Sequence, residues 1–203
     1  VSSSEQQWAG PKGRGKALGY WGYLIVGRSE RPLAETDALR AVRDGLTVRE
    51  RRDDGWQVWE YPSGDGDVGS MNTLALETDA PALFGYVMDS RCVVLEAAAP
   101  ESGAWTTCLA REAMAGYLGA GQGDGGPEDE GEGEDGDEGG GGLTLDDYFL
   151  EPGDAAGRAV DWAAEAGHRV NAGPLLDVLT SEPDPLAENL FFRFLDRLGV
   201  LPL

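Results

Sequence analysis

A chain of 203 residues with 37 acidic and 16 basic side chains carries a formal charge of −21 at neutral pH. That balance excludes nonspecific DNA or RNA binding through phosphate neutralisation and favours cationic partners. The length allows one well-buried core or two small ones. Two cysteines make no disulfide scaffold, no window has the length of a membrane span, and the start has neither the apolar stretch nor the cleavage site of a signal peptide. A cytoplasmic protein with free thiols is the expectation.

Residues 1–17 read as a flexible N-terminal arm with Lys12, Arg14 and Lys16 set among glycines. The GPKGRG stretch within it precedes the first strand, and no Lys-Ser or Lys-Thr closes it as a phosphate-binding loop requires. Residues 18–118 form a sheet-rich portion. Tyr20 to Gly27 is apolar on both pleat faces, as a central strand covered on two sides would be. Pro32, Leu33, Thr36, Leu39, Val42 and the stop at Gly45 predict a helix over 32–43. Leu46 to Arg51 and Trp56 to Tyr61 then flank Asp53-Asp54-Gly55 as a hairpin, with Leu46 and Val48 turned inward. A short helix follows near Met71–Leu76.

Three strands come next: 83–88, 92–97 and 105–110, with Asp89-Ser90 as the first turn and Pro100 to Gly103 as the second. Centring the second loop near Pro100 pairs Cys92 with Cys108 and Val94 with Thr106, and leaves Val93, Leu95, Trp105 and Leu109 on the other face. Arg111 to Leu118 is helical. Residues 119–143 then hold nine acids, many glycines and no base, which predicts a disordered, solvated linker. Without those nine charges the remainder is still at −12, so the body itself is acidic.

Residues 144–203 read as a helical portion packing on the same core. Thr144 to Leu150 is a capped turn. Asp154 to Ala166 has a broad Ala, Val and Trp stripe stopped by Gly167, and Pro174 to Thr180 is short. In the last helix Asp184 caps, Pro185 starts, and Leu186, Leu190, Phe191, Phe194, Leu195 and Leu198 form one face. None of these helices buries its stripe alone. The fold class is therefore α+β: a mainly antiparallel sheet of five or six strands packed against helices, in one compact unit. The early strand–helix–hairpin order is compatible with a split βαβ plan.

The chemistry is sparse. His168 is the single histidine and follows a helix stop, where it caps or is solvated. Cys92, Cys108 and His168 have no zinc-ligand spacing, so neither a metal nor a cofactor is expected. Ser70 and Ser90 lack a nucleophile-elbow setting. Glu50 with Glu60, or Asp146 with Asp147, are carboxylate pairs of the type that acid–base hydrolysis needs. The first hairpin places Trp59 and Tyr61 near Arg49 and Arg51, an aromatic–arginine grouping typical of binding hot spots, with burial of Trp59 as the competing reading.

The segments GYWGYLIVGRSERPLAE, ALFGYVMDSRCVVLEAAAP, WTTCLAREAMAGYL and SEPDPLAENLFFRFLDRLGV together resemble a group of hypothetical actinobacterial proteins, across nearly the whole chain outside the acidic run. The resemblance implies no catalytic residue. The residues themselves point to a non-enzymatic protein acting by macromolecular contact, as an inhibitor, immunity-like or accessory protein that masks a basic partner. The alternative is a small carboxylate-dependent hydrolase or ligand-binding enzyme.

Overall fold

The computed structural model describes residues 19–63, 67–120 and 144–202. Six strands form one antiparallel sheet: β1 (Gly22–Arg28), β2 (Thr47–Arg51), β3 (Trp56–Tyr61), β4 (Ala82–Met88), β5 (Cys92–Ala99) and β6 (Gly103–Leu109), in the order β2-β3-β1-β4-β5-β6. The helices are α1 (Met71–Thr78), α2 (Arg111–Ala120), α3 (Pro152–Glu165), α4 (Ala172–Leu179) and α5 (Ala187–Arg197). Because β3 and β4 both run antiparallel to β1 between them, they are parallel to each other, and α1 makes the crossover. A split βαβ unit is thus present, built from β3, α1 and β4. The expected arm lies outside the described residues, as does the acidic linker apart from Gly119 and Ala120, which end α2.

Strand alternation explains the two cores. Leu24, Val26, Trp56, Val58, Leu83, Val87, Val93, Leu95 and Leu109 share one cluster with Trp162, Leu190, Phe191, Phe194 and Leu195, so strands from before the acidic run and helices from after it bury one interior. On the other face Ile25, Trp59, Ala82, Phe84 and Ala98 pack with Leu33, Leu39, Val42, Met71 and Leu74. β1 is central, and its apolar residues on both pleat faces are covered.

Trp162 is the anchor of the first core. It is fully buried, packs on Trp56 with ring centroids 5.8 Å apart, and donates from Nε1 to the carbonyls of Ala98 (3.0 Å) and Ala82 (3.2 Å). Ala82 and Ala98 are paired across β4 and β5, so one indole ties α3 to both strands. Gln57 does comparable work in the second core. It accepts from Leu33 N and Trp59 Nε1 and donates to the carbonyls of Ser29 and Arg31.

Several local expectations are corrected. Instead of a helix over 32–43 there are two 3₁₀ turns, Leu33–Glu35 and Arg40–Gly45. Thr36 between them is extended, and Glu77 accepts the amides of Asp37 and Ala38, which removes those groups from any continuous helix. β2 is exposed throughout, with a bulge between Val48 and Glu50, so Val48 is 45% exposed rather than inward. In the β5–β6 hairpin Val94 faces Cys108 and Glu96 faces Thr106. The expected register was off by two residues, an even slip that leaves every side chain on its predicted face. α5 starts at Ala187, not Pro185, because the β4–β5 turn fixes it there: Ala187 N donates to Ser90 O and Ser90 Oγ donates to Glu188 Oε1.

Replacing Trp162 by Ala should cost about 3–5 kcal/mol in denaturant unfolding, the range for emptying a large aromatic from a core. Replacing it by Phe, which removes the donor and part of the ring volume, should cost about 1–3 kcal/mol.

Candidate functional site

The four residues expected on the first hairpin do not converge. Trp59 is 9% exposed, with its indole nitrogen 2.9 Å from Gln57 Oε1. Tyr61 is half-buried in an aromatic row on the second sheet face, 6.4 Å from Tyr23, which itself stacks on Tyr86 at 4.4 Å. Burial, then the neighbouring Tyr86, pushes the Tyr23 phenol up to about 12. Arg49 pairs with Glu60 at 2.9 Å, and Arg51 reaches the carbonyl of Glu30 at 3.4 Å. On an exposed edge strand, charged side chains and a bulge also discourage pairing with a foreign strand.

The carboxylate pairs are likewise separated by their partners. Glu60 is held by Arg49, while Glu50 approaches Arg52 at 3.9 Å. Asp146 pairs with Arg111 at 2.8 Å, and Asp147 closes a capping box with Thr144. The thiols are enclosed: Cys92 and Cys108 are free and fully buried. Burial, with the neighbouring Cys108, pushes the Cys92 thiol up to about 12, and burial pushes Cys108 up to about 11 against the pull of Arg111. His168 donates its amide to Ala163 O at the end of α3, and its ring lies against Gly199. Among the described residues no group of three or more His, Cys, Asp or Glu is placed to hold a metal ion, and no helix is long and apolar enough to cross a membrane.

A concave surface lies elsewhere. An open groove of about 1190 Å³ runs between the free edge of β6, the 146–151 segment and the outer face of α3. Its lining includes Asp146, Asp147, Glu151, Asp154 and Asp161, with Arg158 as the lining cation. The charge of Arg158 is directed away from these carboxylates, because its Nη2 donates to the carbonyls of Ser102 (2.7 Å) and Ala104 (3.2 Å). Glu151, Asp154 and Asp161 are exposed.

Two contacts hold α3 in place as the groove wall. Glu165 accepts Ser102 N at 2.6 Å and Glu101 N at 2.9 Å, so the β5–β6 turn is clamped to the end of the helix. Burial alone would raise the Glu165 carboxyl, but these donors and Arg158 hold it below the usual range. On the opposite wall Leu150 N donates to Thr106 O, and Thr107 Oγ1 donates to Leu150 O. The edge carbonyls of Ala104 and Thr106 therefore already accept donors from within the protein.

Trp105 lines the groove and is 5% exposed, yet its indole Nε1 has no hydrogen-bond partner among the described residues. A buried donor left unmade costs about 1–3 kcal/mol. The sequence singles out Asp146 and Asp147 as a carboxylate pair, but Trp105, Glu151, Asp154 and Asp161 are not marked by it as site residues. The available signal was the i, i+7 spacing of Asp154 and Asp161 on the polar side of the alanine stripe.

Comparison of the chain with protein-family models, characterised proteins and solved structures gives no match.

Both thiols should resist alkylation at pH 8 in the folded protein and react only on unfolding. Their contribution to stability is present below pH 9, where the unfolded thiols begin to ionise, and is lost as pH rises from 9 towards 12. The melting temperature should therefore fall across that window, and less steeply in a Cys92→Ala/Cys108→Ala variant.

Proposed function

We propose that this protein acts by macromolecular contact, taking a basic segment of a protein partner into the groove between β6 and α3. The observation that carries the reading is a concave surface lined by five acidic residues, two of them engaged by Arg111 and Thr144, and by one arginine already committed to backbone carbonyls. A cationic chain entering there gains attraction from Glu151, Asp154 and Asp161 without displacing an internal ion pair. The −21 charge of the whole chain adds long-range steering, which speeds encounter and weakens with salt.

This reading keeps the expected mode of action, charge and shape masking of a basic partner, and moves its location. The hairpin arginines would oppose such a partner, whereas the groove would attract it. A carboxylate hydrolase would need two groups converging on one point. Here Asp146 and Asp147 are bound to Arg111 and Thr144 instead.

The test is titration of ¹⁵N-labelled protein with an oligoarginine peptide at 150 mM salt. Shifts concentrated in Ala104–Thr106 and Glu151–Asp161 support the groove. Shifts spread over remote acids such as Asp177 and Glu182 reduce the effect to diffuse electrostatics and overturn it. Asp154→Lys/Asp161→Lys should weaken binding about tenfold or more. Both sites are exposed, with Asp154 in the first turn of α3, so unfolding free energy should fall by only about 1 kcal/mol.

A further inference from the structure

A continuous strip of aromatic rings crosses the margin of the second core. Tyr61, Tyr23 and Tyr86 stand directly opposite one another on β3, β1 and β4, with ring centroids 6.4 Å and 4.4 Å apart. Trp21 continues the strip, 6.4 Å from Tyr86 and 6.3 Å from Tyr117 on α2. All five rings are half-buried. Trp56, Trp59, Trp105 and Trp162 are buried, whereas Trp21 belongs to neither core cluster. A lone half-exposed ring is ordinary on a protein surface, but a contiguous strip of them is the kind of patch that marks an interaction site.

The strip suits cations, because ring faces carry negative charge density. One end already holds a guanidinium: Arg91 lies over Tyr117, 5.9 Å from the ring centroid. Asp67 and Glu96 are close enough to Tyr23 to add to burial and Tyr86 in raising its phenol. The chain's own cations enter beside this surface. Gly19 N is held by Asp89 Oδ1 at 2.7 Å and Tyr20 N by Ser90 Oγ at 2.8 Å, immediately before Trp21. Upstream, residues 11–16 read Pro-Lys-Gly-Arg-Gly-Lys, with a cation at every second position: Lys12, Arg14 and Lys16. In an extended chain alternate residues project on one side about 6.7 Å apart. The ring steps from Tyr117 to Trp21, Trp21 to Tyr86 and Tyr23 to Tyr61 are 6.3–6.4 Å. A helix would turn such residues to different sides. The seven residues from Lys12 to Gly19 reach about 23 Å, enough to cross three strands about 4.8 Å apart.

We propose that the chain's own segment 11–16 docks in extended form across this strip, with Lys12, Arg14 and Lys16 directed onto the rings of Trp21, Tyr86, Tyr23 and Tyr61. Gly13 and Gly15 carry no side chain, so the backbone between the cations can come close to the rings. The occupant follows from where the described chain begins, from charge, and from the match between cation and ring spacing. The inference does not rest on the groove: the tyrosines pack on one face of the sheet and α3 on the other.

The test uses the full ¹⁵N-labelled chain at about 150 mM salt, where charges are screened over about 8 Å. The reporters are the Tyr61 and Tyr86 amides, remote in sequence from the substitutions, and the Trp21 indole. Lys12→Gln/Arg14→Gln/Lys16→Gln should shift all three. Lys12→Gly/Gly13→Lys/Gly15→Lys/Lys16→Gly keeps composition and charge but places the cations side by side, and it should shift them in the same direction. In a Trp21→Ala background, which removes a ring outside both cores, neither set should move Tyr61 or Tyr86 further. Unchanged Tyr61 and Tyr86 in the glutamine variant would overturn the proposal. So would a rearranged variant that keeps the parent's resonance positions, since net charge alone would then suffice. Shifts at Asp154 and Asp161 in place of the strip would put the segment in the groove, and strip resonances that move on concentrating the parent protein would make a second copy the occupant. Either result contradicts the assignment.

Discussion

An indole buried in an apolar interior must find an acceptor, and Trp162 finds two, the carbonyls of Ala82 and Ala98 on adjacent strands. That requirement sets where α3 crosses the sheet. Arg158, one turn before, binds the carbonyls of Ser102 and Ala104, and Glu165, about one turn after, binds the amides of Glu101 and Ser102. With these three side chains fixed, helix rotation is fixed too. The alanine stripe faces the sheet, and Asp154, Gly157 and Asp161 are left lining the groove beside β6.

The acidic character of the chain therefore has two levels. At long range it is a net charge that any cation would feel and that salt screens. At short range the groove adds carboxylates along the α3 wall. The opposite edge of the sheet carries the reverse pattern: β2 exposes Arg49 and Arg51 and is interrupted by a bulge.

Much of the fold was legible because its signals are local. The double-sided apolar run of β1, the alternation in β3 to β6 and the alanine stripe of α3 each report burial directly. The failures came where distant groups decide. The 32–43 segment has helical spacing, but Glu77, some 40 residues on, captures the Asp37 and Ala38 amides. The start of α5 is set by Ser90, roughly a hundred residues earlier. Trp59 and Tyr61 have the composition of a contact site, yet Gln57 satisfies the Trp59 indole inside the core. The groove was invisible for the same reason: its walls come from β6, the 146–151 segment and α3, which only tertiary structure brings together.

The most direct measurement of the central claim is native-state hydrogen exchange of the α3 amides from Ala159 to Ala163, set against those of β1 and β4. If the Trp162, Arg158 and Glu165 contacts make α3 one cooperative unit with the sheet, these amides exchange only through global unfolding, with the same free energy and denaturant dependence as the central strands. Exchange of α3 through a separate opening several kcal/mol below the global value, with β1 and β4 still protected, would contradict the account and remove the fixed wall on which the groove depends.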